Sequence, residues 1–131
     1  MSIWASLIYE DAPSAIDFLC DVLGFERQLV VPSAEDPGVI EHSQLRWPEG
    51  GIVQVSTVAR PGNPFADRPT GAESLYIVTA DPHAVWARCQ AAGVEVVQEP
   101  MEPDYAPGTM VFGVRDTDGN IFSFGSYAGE D

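Results

Sequence analysis

Few side chains in this sequence are able to do chemistry. His42 and His83 are the only imidazoles, and Cys20 and Cys89 are the only thiols. An imidazole titrates near pH ~6.5, so it can move a proton at neutral pH. His42 lies inside a strand-like run, Ile40-Glu41-His42-Ser43-Gln44-Leu45, and Gln44 two residues on shares its side of that strand. One imidazole and one glutamine fall short of the three protein ligands that a catalytic metal generally takes. His83 opens a predicted helix and reads as an exposed polar residue. Both cysteines fall in helical patterns with no CxxC spacing, as expected of buried thiols in a reducing compartment. Glu41, Glu49 and Glu73 sit near strand ends and read as solvated carboxylates. No Gly-rich phosphate loop, Ser-His-Asp set or cysteine with a partner base is present. His42 is therefore the one candidate for acid–base catalysis, with a hydrogen-bonding strand histidine as the plain alternative.

The elements that must position these groups repeat. Residues 3–9 form a short β-prone run, and Asp11 or Ser14 can cap a helix that tolerates Pro13 in its first turn. Ile16, Leu19 and Leu23 recur at helical spacing up to Gly24, which stops the helix. Strands are predicted at 25–31, 38–46 and 51–58, punctuated by Pro32, Pro37, Pro48, Gly50 and Gly51. Residues 59–71, rich in proline and glycine, read as a linker. The programme then restarts: a strand at 73–80, a helix capped by Asp81-Pro82 and stopped by Gly93, and strands at 94–99, about 109–115 and 120–127. Asp11 answers Asp81 at a period of about 70 residues. The prediction is an α+β chain of two βαβββ modules, 1–58 and 72–131, joined by the 59–71 linker. Each half alone offers too little surface to bury a core, so paired modules are expected to form curved mixed sheets, helices outside and a concave cleft within.

Alternation sorts the strand residues into two faces. Leu7, Val53, Val55, Leu75, Ile77, Phe122 and Phe124 fall on an apolar face that must pack beneath the helices. Trp4, Ser6, Gln54, Ser56, Ser74, Tyr76 and Ser123 fall on the other. That mixture of aromatic walls and orienting polar groups suits a ligand cleft, and His42, Gln44, Trp47 and Tyr105 are expected to join it.

With 131 residues, 20 acidic against 6 basic side chains and a net charge of −14, the chain is one acidic globular domain. All six cations are arginines. A field of that sign repels phosphate backbones and anionic membranes, which excludes nucleic acid and membrane as partners. It keeps the protein soluble and would attract a cationic small molecule or a basic protein surface. No stretch has the ~20 apolar residues of a membrane span, and no secretory signal opens the sequence, so a cytoplasmic location is expected. The arginine-rich, lysine-free composition points to a GC-rich bacterial genome.

Three segments together carry a family resemblance: IYEDAPSAIDFLCDVLGFE, VIEHSQLRWPEGGIVQVS and VRDTDGNIFSFGSY. Through them nearly the whole chain resembles the vicinal oxygen chelate superfamily of glyoxalase I, extradiol dioxygenases and bleomycin-resistance proteins, within it most the PhnB-like, glyoxalase-annotated branch. The resemblance implies a divalent metal held by side chains of four strands. Counting from Asp11, from the IVQVS strand, from Asp81 and from Gly119 puts Trp4, Gln54, Ser74 and Ser123 at the four ligand positions. Tryptophan is no ligand, a neutral amide is a weak one, and serines seldom hold divalent ions unaided. A one-residue slip would substitute Ala5, Val55, Leu75 and Phe124, which is worse. No metal and no cofactor are therefore expected. The function this implies is a metal-free cleft that binds a small molecule, such as a cationic or aromatic antibiotic or metabolite. The alternatives are a lyase, isomerase or dioxygenase with a relocated metal site or metal-free chemistry, and an accessory or interaction protein. Relatives of this length imply a homodimer.

Overall fold

The computed structural model describes residues 3–58 and 62–130. The first residues of the predicted linker, 59–61, lie outside the described residues. The chain divides into two compact units, Met1–Gly71 and Ala72–Asp131. Most of the predicted linker thus clusters with the first unit.

In the first unit, β1 (Ala5–Tyr9) leads into α1 (Ala12–Asp17), and β2 (Glu26–Pro32), β3 (Ile40–Arg46) and β4 (Ile52–Thr57) follow. The second unit repeats this with β5 (Ser74–Val78), α2 (Pro82–Ala91), β6 (Glu95–Met101), β7 (Val111–Arg115) and β8 (Ile121–Gly125). Each unit is a four-stranded mixed sheet, ordered β1-β4-β3-β2 and β5-β8-β7-β6, whose first strand runs parallel to its last. The α+β architecture expected from the repeat is the one observed.

Local chemistry explains the helices. Asp11 and Asp81 accept hydrogen bonds from the backbone N–H groups of Ser14 and Ala84, each with a proline following in the first turn. The first helix departs from expectation: after Asp17 it widens into a π-helical turn, Phe18–Leu23. Gly24 and Phe25 both donate to the Leu19 carbonyl, and Gly24 closes the turn at φ 106°, a conformation open to glycine. The wider turn leaves Leu19 and Leu23 fully buried.

Alternation places the cores. Leu7, Leu45, Val53 and Val55 are buried, as are Ile16, Leu19 and Leu23 of the first helix segment, and α1 packs on β1, β3 and β4. In the second unit Phe112, Val114, Phe122 and Phe124 are fully buried, and Trp86 of α2 packs edge-on against Phe112 at 5.2 Å. Each such aromatic removed from water contributes about 1.5–3 kcal/mol. The outer strands β2 and β6 are mostly exposed, and their pairing with β3 and β7 is broken by register shifts, at Arg27/Leu29 and Val31/Pro32 in one and at Val96/Gln98 and Gln98/Met101 in the other.

The inner ladders differ. β7 and β8 pair along five residues, from Val111 with Gly125 to Arg115 with Ile121. β3 and β4 pair directly only at Leu45–Val53 and Arg46–Ile52. Beyond that point side chains bridge them: buried Ser43 donates through Oγ to the Val55 carbonyl (2.6 Å) and accepts from the Val55 N–H (3.0 Å). Thr57 Oγ1 likewise accepts from the Ile40 N–H.

Candidate functional site

A pocket of about 300 Å³ opens in the first unit where the β3–β4 ladder gives way to these bridges. Glu41, His42 and Ser43 of β3, Gln54, Val55 and Ser56 of β4, and Ser6 of β1 line it. Asn63 and Phe65 complete the lining from a short 3-10 turn, Pro64–Ala66, which Asn63 caps by accepting from the Phe65 N–H. Arg68 fastens that segment, donating to the Phe65 carbonyl and to the Ser6 carbonyl of β1.

The pocket's polar groups are unevenly satisfied. Among the described residues the side chains of Ser6, Gln54 and Ser56 have no hydrogen-bond partner. His42 Nε2 lies 2.9 Å from Gln44 Oε1, and Gln44 Nε2 donates to Gln28 Oε1 at 2.9 Å. Gln28 stands at the first register shift of β2, so that irregularity brings its amide to Gln44. Among the described residues no arginine lines the pocket.

Of the residues expected in a cleft, the pocket gathers Ser6, His42, Gln54 and Ser56, and Gln44 reaches it through His42. Trp4 is 43% exposed and not part of the lining. Trp47, also expected there, is instead 5% exposed and packs on Phe25 with ring centroids 5.0 Å apart, because the turn after β3 folds it back onto the core. Ser74, Tyr76, Tyr105 and Ser123 belong to the second unit. Ser74 is exposed and Ser123 donates to the Leu75 carbonyl. The Tyr76 hydroxyl donates to the Tyr127 carbonyl, and Tyr105 meets Tyr127 edge-on at 5.6 Å. The Tyr76 ring fits because position 125 is glycine: a Cβ there would stand 2.5 Å from its hydroxyl oxygen. Burial, then the neighbouring Tyr105, raises the Tyr76 phenol above the usual tyrosine value.

Sequence reasoning missed Glu41, Ser43, Val55, Asn63 and Phe65. The last two lay in the segment read as a linker, where Asn63-Pro64 was a legible turn-initiating signal.

The sequence profile of the Glyoxalase/Bleomycin resistance protein/Dioxygenase superfamily matches residues 3–124. The chain belongs to that superfamily. No curated protein matches it. Among solved structures, TioX from Micromonospora sp. ML1 is similar at 27% identity and a TM-score of 0.79, over 95% of this chain and 97% of that one. Virulence protein STM3117 from Salmonella typhimurium is similar at 26% identity and a TM-score of 0.71, over 98% and 96% of the two chains. A glyoxalase/bleomycin resistance protein from Streptomyces sp. CB03234 is similar at 25% identity and a TM-score of 0.71, over 95% and 98%.

The divalent metal that the superfamily implies does not fit the side chains at the positions the resemblance assigns. Trp4 offers no lone pair in its ring plane, Gln54 a neutral amide, and Ser74 and Ser123 neutral hydroxyls, that of Ser123 already bonded to Leu75. Among the described residues no three His, Cys, Asp or Glu side chains are grouped as a metal ion would need. Nor is any helix of the described residues long and apolar enough to cross a membrane.

Proposed function

We propose that this superfamily member binds a small molecule, neutral or cationic and partly aromatic, in the pocket of its first unit without using a metal ion. The reading is carried by one observation: three polar side chains, Ser6, Gln54 and Ser56, line a 300 Å³ pocket with no protein partner. Gln54 and Ser56 are half-buried and Ser6 is exposed, so all three keep hydrogen-bonding capacity that a guest can take up in place of water. Phe65, 79% exposed, offers a ring face for stacking. Among the described residues the lining has no cationic side chain, and the net charge of −14 attracts cations and repels anions. The guest class is thus a cationic or aromatic antibiotic or metabolite. One structural relative is described as a glyoxalase/bleomycin resistance protein, which supports the same class. The reading goes with a cytoplasmic homodimer. A second reading, metal-free acid–base catalysis, is favoured only by the presence of His42 in the lining.

The test is a panel of planar aromatic amines, the matching amides and the matching carboxylates, read by melting temperature and by backbone amide shifts. Amines and amides are expected to raise the melting temperature and to shift the amides of Gln54, Ser56 and Asn63, and Ser6→Trp is expected to abolish both effects. Binding by carboxylates alone, or shifts confined to the second unit, would overturn the reading. In parallel, Zn, Ni, Mn, Fe and Co are expected to leave the melting temperature unchanged. Close to one ion retained per chain would refute the metal-free part.

A further inference from the structure

We propose that Gln44 sets the tautomer of His42 and so makes this wall of the pocket a hydrogen-bond acceptor, which selects guests that present an N–H or O–H group. Gln44 Nε2 donates to Gln28 Oε1, so the oxygen of the same amide faces His42, 2.9 Å from Nε2. A carbonyl oxygen only accepts, and a neutral imidazole has a single N–H. The proton therefore sits on Nε2, and Nδ1 keeps its lone pair. Nδ1 has no partner among the described residues. No buried side-chain nitrogen or oxygen among them lacks a partner, so Nδ1 is reached by solvent. The hydroxyls of Ser6 and Ser56 can rotate to donate or accept, whereas the imidazole lone pair cannot adapt. The irregularity in β2 that seats Gln28 anchors the relay at its outer end. A guest lacking a donor would strip water from Nδ1 and return nothing, at a cost of about tenfold in affinity. The guest half of this inference rests on the binding reading above, and the tautomer half does not.

Ring nitrogen-15 NMR of histidine, recorded at about pH 8.5, decides the tautomer in the ligand-free protein. The chain has two histidines, and His83→Asn assigns the signals. His42 is expected as the Nε2–H form in the wild type and in Gln44→Glu, whose carboxylate also accepts. In Gln44→Leu it should become a mixture while His83 stays unchanged. An Nδ1–H form or a mixture in the wild type would overturn the proposal, since it requires both glutamine amides turned the other way. An unchanged tautomer in folded Gln44→Leu would refute the role of Gln44. Phenol and anisole then probe the guest half: phenol is expected to shift Nδ1 at about one-tenth of the concentration anisole needs. Equal responses, or none at Nδ1, would refute donor selection and leave the tautomer result standing. The binding reading fails separately, if no member of the aromatic panel reaches the pocket amides.

Discussion

The two units follow one topology and treat their inner ladders in opposite ways. Two residues beyond the Leu45–Val53 pair stand Ser43 and Val55, and two beyond the corresponding Val114–Phe122 pair stand Phe112 and Phe124. In the second unit those positions stack as rings 5.5 Å apart and the ladder continues beneath them. In the first, a serine hydroxyl stands in for the backbone partner of Val55, the strands separate, and a pocket opens. The polar accounting follows the same division. Ser6 and Gln54, paired in register on β1 and β4, have side chains without partners, whereas their counterparts Tyr76 and Ser123 are bonded to the Tyr127 and Leu75 carbonyls. The fold supplies a place for a site, and a few side chains decide whether one exists.

The largest effect that would sharpen this contrast is expected from Phe112→Ala. It removes a fully buried ring that touches both Trp86 and Phe124, and a urea titration should show a loss of about 4 kcal/mol. Next come the thiols. Burial pushes Cys89, 1% exposed, up from 9.0 to about 11, while the half-buried Cys20 is raised chiefly by burial, which the nearby Arg27 opposes. A thiol whose folded value exceeds its unfolded one contributes fully below the unfolded value and loses that contribution as pH rises through the folded one. Between about pH 9 and 11 the Cys89 contribution, about 3 kcal/mol, should therefore disappear, and a Cys89→Ser variant should show a shallower decline in denaturant midpoint over that range. A parallel decline in both proteins would assign the loss to other groups. The smallest effect is expected from Ser43→Ala, which leaves the Val55 N–H and C=O without their bridge and should cost about 2 kcal/mol, with faster amide exchange at Val55. An unchanged stability would mean that β3 and β4 can pair directly as β7 and β8 do, and would break the comparison.

Much of this was legible in the sequence because it is local. Asp11 and Asp81 announced helix starts through their caps, and alternation in the runs 51–58 and 120–127 separated buried Val53, Val55, Phe122 and Phe124 from their open-faced neighbours. The pocket was only partly legible. Ser6, His42, Gln54 and Ser56 could be placed on one side of their strands, but a serine inside a strand carries no mark of the bridge that Ser43 makes across it. The packing of Trp47 on Phe25, more than twenty residues earlier, was likewise not legible, since no period encodes that contact. The π-helical turn keeps the apolar spacing of an α-helix, so it left no trace either.

The register shifts in β2 and β6, one edge of each sheet, bear on how this protein behaves when concentrated. A straight, regular outer strand is a template on which a neighbouring molecule can lay down its own backbone, and β2 and β6 both expose valines that would welcome one. The irregularities break the even row of N–H and C=O groups that such an addition needs, and Glu26, Arg27, Glu95 and Glu99 add charge along the same rims. Pro32 and Pro100 remove a donor from each. The β2 and β6 edges are in this way defended against fibrillar growth, and the shift that does so in the first unit also seats the glutamine at the head of the His42 relay.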